Sequence, residues 1–348
     1  MSHFIKKTLL AAWAGLLATW ACAQSNELNL YSARHYQTDE ALYSQFTKAT
    51  GIKINRVDAD DAGILARLKA EGSASPADVI LLVDAARLGK GQTDGLFRPI
   101  KSALLEAAVP AQLRAASGPD GVAWFGLSTR ARVVVYDKTR VKREDVDTYE
   151  ELAEPKNKGR VCLRSGSHPY NLSLFGSLLE HLGPAKMEVW LQGLKANLAR
   201  APKGGDTDQV RAVASGECAV AISNSYYIAR LMRSNQAQDQ ALMGKVEVVF
   251  PNQQSWGTHL NIAGAAVARH SKNLPAAIQF IEYLASAQAQ TYFADGNNEW
   301  PVVASVKTAN PALQAMSGGA FKAETVPVAQ VAAHQVRVQQ MLDRIGFR

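Results

Sequence analysis

The chain has 348 residues, 47% hydrophobic and 20% charged, with a formal charge of +7. That length accommodates two domains with sizeable cores, and the composition is that of a folded globular protein rather than a disordered or fibrous one. The basic surplus is spread along the chain with no Lys/Arg cluster fit for nucleic acid, so it suits an anionic ligand or an ordinary basic exported protein.

The first 23 residues stand apart. Lys6 and Lys7 make a basic start, residues 8–20 are mostly apolar, and Ala21-Cys22-Ala23 gives a small-x-small pattern before Gln24. This is the pattern of a secretory signal peptide cut after Ala23, and its apolar run is too short to span a bilayer comfortably. A lipoprotein signal using Cys22 is the rival reading, and Trp20 fits it poorly. Removing Lys6 and Lys7 leaves a charge of +5. Lysines before a short apolar run point to a bacterial periplasm, and no later stretch reaches transmembrane length. Two cysteines then remain, Cys162 and Cys218, which form either a disulfide or two buried thiols. Each lies eight residues before a tyrosine, Tyr170 and Tyr226, an offset that sets both at similar depth in two strands feeding one cleft.

Residues 28–31 read as the first strand, and Thr38 caps a helix with Asp39 and Glu40 in its first turn, ended by Gly51. Residues 52–57 are a strand, Asp58 to Asp61 a carboxylate-rich turn, and Ile64, Leu65 and Leu68 mark a helix stopped by Gly72. Residues 78–83 form a near-continuous apolar strand of the kind covered on both faces. This order predicts an open α/β sheet with ligands beyond the carboxyl ends of its strands. Strands follow at 122–126 and 131–136, the second with Arg130, Arg132 and Val134 on one face, where the chain crosses to a second domain. There a strand at 160–164, helices at 172–182 and 187–198, and a helix opened by Gly204-Gly205-Asp206 lead to the strand 217–222. Residues 246–250 make the return crossing, 259–268 a strand back in the first domain, 274–293 a helix, and 328–342 a polar amphipathic helix. The expected division is a signal peptide over 1–23, an N-terminal lobe from 24–130 and 255–348, and a C-terminal lobe over 131–254. A sheet interrupted by insertion of a second sheet, with two crossings, is the architecture of hinged periplasmic binding proteins, whose ligand lies between the lobes.

The chemistry converges on tyrosine. Ser223-Asn224-Ser225-Tyr226-Tyr227 follows a buried strand and opens a helix, where Asn224 or Ser225 can cap and both rings can face a cleft. His35-Tyr36 and Tyr170 also sit just past predicted strands. Phenolate is a hard anionic donor suited to Fe(III), His35 can add a nitrogen, and Arg34 or Arg132 can hold a small anion in any remaining position. A plainer account has the tyrosines packing with their hydroxyls at the rim, Tyr170 a turn residue, Tyr31 and Tyr136 structural, and Asp58, Asp60 and Asp61 a helix cap.

Seven segments, in order along nearly the whole mature chain, resemble the periplasmic ferric-iron-binding proteins of ABC transporters, the ferric-binding-protein/FutA-like group. They are Asn29-Leu30-Tyr31-Ser32-Ala33-Arg34-His35-Tyr36, Glu71-Gly72-Ser73-Ala74-Ser75-Pro76-Ala77-Asp78-Val79, and Ser128-Thr129-Arg130-Ala131-Arg132-Val133, then Arg164-Ser165-Gly166-Ser167 with Tyr170-Asn171, Gly204-Gly205-Asp206-Thr207-Asp208-Gln209, Asn224-Ser225-Tyr226-Tyr227 and Asn297-Asn298-Glu299-Trp300-Pro301-Val302. The resemblance implies a two-lobed type II binding-protein fold of the α/β class and Fe(III) held by Tyr36, Tyr170, Tyr226 and Tyr227, sometimes with His35. It also implies an anion such as carbonate in some members, and delivery by a monomer to an inner-membrane permease. His168-Pro169 before Tyr170 departs from the pattern.

Two other functions compete. The same fold could carry an organic or oxyanion solute on its tyrosines. A secreted hydrolase would use Ser165, His168 and Asp206, but the chain has neither a Gly-x-Ser-x-Gly elbow nor a His-Glu-x-x-His helix.

Overall fold

The computed structural model of the chain describes residues 26–34 and 37–347; the signal-peptide segment, His35 and Tyr36 lie outside the described residues. In chain order the elements begin with β1 (Glu27–Ser32), α1 (Asp39–Thr50), β2 (Lys53–Asp58), α2 (Asp61–Glu71), β3 (Val79–Leu82), α3 (Ala85–Thr93), β4 (Phe97–Arg98), α4 (Ala103–Ala108) and β5 (Phe125–Asp137). They continue with β6 (Val161–Cys162), α5 (Pro169–Ala196), α6 (Asp206–Ala214), β7 (Val220–Asn224), α7 (Ser225–Met232), α8 (Ala237–Met243) and β8 (Val246–Val249). The last are β9 (Leu260–Ala268), α9 (Leu274–Leu284), α10 (Ala287–Asn297), β10 (Trp300–Pro301), α11 (Pro311–Ser317), α12 (Val328–Ala333) and α13 (Gln335–Arg344).

The main path of the sheet runs β2-β1-β3-β9-β5-β7-β6. β1 pairs in parallel with β2 and β3, while β9 runs antiparallel to β3 and β5. β3, Val-Ile-Leu-Leu, is buried along its whole length, as its unbroken apolar run requires. The two strands expected at 122–126 and 131–136 are one strand of 13 residues. Its first half pairs with β9 as far as Ala131; from Arg132 it pairs with β7, and from Val134 also with β8. The chain therefore changes lobes inside a single hydrogen-bonded strand, with no turn to mark the passage.

The two largest apolar cores lie on either side of that point, and a smaller one packs around Val133, Val135, Cys162 and Ala221. Of the two largest, one gathers Leu30, Phe46, Ile80, Trp124 and Phe280; the other gathers Val134, Leu163, Phe175, Trp190 and Ile222. The tail, expected with the first lobe, adds Val338, Met341, Leu342 and Phe347 to the second core. It is also two helices, not one, broken at His334, whose ring pairs with Glu180 of α5 at 2.5 Å. α12 lies against both α3 and α5. Gly176 makes the approach to α5 possible, since a Cβ there would stand 2.8 Å from the Val331 carbonyl oxygen. α5 is two helical segments, as the helices expected at 172–182 and 187–198 require, parted at Gly183, which leaves helical geometry at φ +73° ahead of Pro184. The helix expected over 274–293 divides instead, with Ser286 accepting from Ala289 N–H to start α10. Thr38 stands at the N-cap of α1 as expected, but its side chain makes no capping bond; the hydroxyl donates to Asn297 Oδ1 instead.

Cys162 and Cys218 are joined in a disulfide. The bond closes a loop with a sequence separation of 56 and ties the end of β6 to the approach of β7. Replacing both cysteines by serine is expected to remove about 2–4 kcal/mol of stability, read as a lowered thermal midpoint.

Residues 246–249, expected as the return crossing, instead pair with the second-lobe half of β5, and the start of β9 is held to the second lobe by a buried polar cluster. His259 meets Glu324 through Nδ1 and lies 3.0 Å from Ser173 through Nε2, and its backbone carbonyl accepts from Arg132 N–H. Glu324 also accepts from Ser177 at 2.6 Å. Burial alone would raise the Glu324 carboxyl, but His259, His181 and Ser177 hold it down at about 2, against an ordinary 4.5. A depressed carboxyl stabilises the fold above its unfolded value and loses that contribution as pH falls toward the folded one. On the order of 3 kcal/mol should therefore fade between about pH 4.5 and 2. Urea melts across that range should show a flatter acid limb for Glu324→Gln than for the unaltered protein.

Candidate metal centre

The parallel pairing of β6 with β7 sets two chain exits side by side. From β6 the chain runs through Arg164 and Ser165 into α5, where Pro169 takes the first position and His168 the cap, its Nδ1 accepting from Tyr170 N–H at 3.2 Å. From β7 it turns directly into α7, so Tyr226 and Tyr227 fall in the first turn. The Tyr170 and Tyr226 hydroxyls stand 3.4 Å apart across 56 residues of sequence. The Tyr226 and Tyr227 rings lie 4.1 Å apart at 32°. Three of the four expected tyrosines thus meet at one place.

Tyr170 also faces the first lobe. It lines a cavity of about 440 Å³ with Ser32, Ala33, Arg34, Asp58 to Asp61 and Val83. These residues follow the carboxyl ends of β1, β2 and β3, the edge at which an open α/β sheet receives ligand. Arg34, whose next neighbours in sequence are His35 and Tyr36, is part of this wall.

Three guanidiniums flank the phenols, each paired with a carboxylate: Arg164 and Arg132 with Asp206, and Arg130 with Glu299. The guanidinium carbons of Arg164, Arg130 and Arg132 lie 5.2, 5.8 and 6.0 Å from the centre of the Tyr170 ring. Burial nonetheless pushes the Tyr170 phenol up to about 12, with Arg130 opposing it. Burial, then the charges of Arg164 and Arg132, push His168 down to about 3, so its ring is neutral and Nδ1 is free to accept.

Arg130 and Arg132, on one face of β5, are 1% and 2% exposed. Arg34 donates through Nε to Asp39 at 2.8 Å and through Nη1 to Glu299 at 3.1 Å. Arg132 donates to Asp206, to Asn171 at 2.7 Å and to Asn224 at 3.3 Å. Both candidates for holding an anion therefore already carry protein carboxylates. Neither Asn224 nor Ser225 caps α7 with its side chain; the Asn224 amide oxygen accepts from Arg132, and the Ser225 hydroxyl accepts from Ala131 N–H at 3.1 Å. The local sequence offers both side chains as caps, and their reach across to β5 has no local signal.

The remaining candidates fall into scaffold roles. Tyr31 donates to Glu71 at 2.9 Å and Tyr136 to Glu247 at 2.6 Å. Asp60 caps α2 by accepting from Gly63 N–H, and burial raises the carboxyl of Asp61, which accepts from Val83 N–H, to about 6. Among the described residues, no side-chain hydrogen bond joins Ser165, His168 and Asp206.

Two lobes joined by a shared strand, with polar and aromatic groups converging on the cleft between them, define a solute-binding protein. The chain belongs to the family described as bacterial extracellular solute-binding protein, which it matches over residues 41–318. It is 43% identical over 325 residues to iron uptake protein A1 of Synechocystis sp., covering 93% of this chain and 88% of that one. Among solved structures it resembles the Trichodesmium protein IdiA (FutA) in complex with iron and citrate ligands, at 44% identity and a TM-score of 0.87, covering 92% of this chain and all of the other. The ferric binding protein from Campylobacter jejuni has 36% identity and a TM-score of 0.85, again over 92% of this chain and 100% of that one. The family is one of solute-binding proteins rather than enzymes, and no helix among the described residues is long and apolar enough to cross a membrane.

Proposed function

We propose that this protein is the periplasmic solute-binding component of an ABC transporter, which captures Fe(III) between its lobes and delivers it as a monomer to an inner-membrane permease. Tyr170, Tyr226 and Tyr227 supply phenolate oxygen from the second lobe, and Tyr36, with or without His35, closes the site from the first. Three or four phenolates neutralise a trivalent ion, and a small anion such as carbonate takes any remaining position. Cleavage after Ala23 would leave the mature chain free in the periplasm.

The observation that carries this reading is the 3.4 Å approach of the Tyr170 and Tyr226 hydroxyls, with Tyr170 lining the cavity against the first lobe. With burial holding Tyr170 protonated, the two hydroxyls gain little from so long a contact. A hard cation that displaces their protons gains both. The iron uptake and ferric binding names of the relatives agree with it. Purified protein given ferric citrate should turn coloured through phenolate-to-iron charge transfer and hold one iron per chain by elemental analysis. Colourless, iron-free protein would rule the assignment out.

A further inference from the structure

The described phenols reach the cleft from two separate helix starts, so their meeting depends on what holds those starts in register. Asp206, the first residue of α6, is 1% exposed and lies between them. Its Oδ2 accepts from Asn224 N–H at 2.7 Å, two residues before Tyr226, and from Arg132 Nη1. Its Oδ1 accepts from Arg164 Nη1 at 3.0 Å, where the loop toward Tyr170 begins. Arg132 passes the link onward through Nη2 to Asn171 Oδ1 at 2.7 Å, beside Tyr170. The Asn171 amide closes that loop by donating to the carbonyls of Arg164 at 3.1 Å and Ser165 at 3.0 Å.

We propose that Asp206 is the positioning residue of the ferric site, its carboxylate clamping the turn of Tyr226 and Tyr227 directly and the turn of Tyr170 through Arg132 and Asn171. The proposal rests on the reading of those tyrosines as iron ligands. A carboxylate suits the task because its two oxygens accept in several directions at once, and charge-assisted bonds to guanidinium are short and directional. Asn171 and Asn224 are 0% and 2% exposed, so water does not compete for these bonds. Outer partners of metal ligands act by fixing ligand orientation, and losing one typically costs ~10–100-fold in affinity.

Asp206→Asn keeps the shape and removes the charge, while Asn171→Ala cuts only the branch toward Tyr170. Each is checked for folding by circular dichroism, then titrated with ferric citrate while the charge-transfer band is followed. Both should bind about 10–100-fold more weakly, with a displaced band. Adding Tyr170→Phe to Asp206→Asn should cost less than adding it to the unaltered protein, because Tyr170 is already out of place. Unaltered affinity and band in a folded Asp206→Asn protein overturn the proposal, as do losses that simply multiply with Tyr170→Phe. Should Asp206→Asn fail to fold, an unaltered Asn171→Ala protein overturns it by itself. Failure of the unaltered protein to bind iron would instead sink the ligand assignment beneath it.

Discussion

Tyr226→Phe is expected to lower ferric affinity by at least ~100-fold, since removing a ligand should cost no less than removing a ligand's outer partner. The fold should hardly notice. Among the described residues the hydroxyl removed meets Tyr170 at 3.4 Å, a long contact, and losing such a bond costs roughly 1 kcal/mol or less. The ring itself is 4% exposed and keeps its packing against Tyr227. Competition with a chelator of known affinity measures the loss, and a melt of the iron-free protein measures the stability. Were the cleft built for an organic or oxyanion solute stacked on these rings, the same substitution would leave ligand affinity within a few-fold.

Ferric affinity should also fall steeply on acidification. Tyr170 keeps its proton in the free protein up to about 12, so iron must displace that proton throughout the neutral range. Each phenol that gives up a proton on binding contributes roughly a tenfold loss of apparent affinity per pH unit of acidification. The direction is fixed by the raised phenol: binding releases protons, so excess protons oppose it. Titrations between pH 8 and 5, corrected for protonation of the competitor, should show proton release greater than one per iron. Affinity that stays level over this range would mean that phenolate is not the donor. The same linkage supplies a route for release, because acid weakens phenolate ligation, as does reduction to Fe(II), a softer and less charged ion.

Much of this arrangement is legible in the chain. The alternation of apolar strands with capped helices places Tyr170 and Tyr226 past the ends of two strands, and the matching eight-residue offsets from Cys162 and Cys218 agree with the disulfide that joins those strands. Apolar periodicity survives translation into structure because each strand and helix buries its own face. What the sequence hides is everything set by distant partners. Arg34 and Arg132 look like free cations in strand and loop, yet Asp39, Glu299 and Asp206 claim them, from as far as 265 residues away. Asn224 and Ser225 look like caps, and β5 claims them instead. The tail reads as one polar helix, and only its packing against α5 and the second core explains the break at His334. The crossing at Ala131 leaves no local trace because the strand itself is continuous.

Anomalous diffraction from crystals of the ferric-loaded protein, recorded at the iron edge, tests the central claim most directly. The account predicts a single iron peak between the lobes, within bonding distance of the Tyr170, Tyr226 and Tyr227 oxygens. Iron bound elsewhere, or at that place with these three hydroxyls turned away from it, would contradict the account.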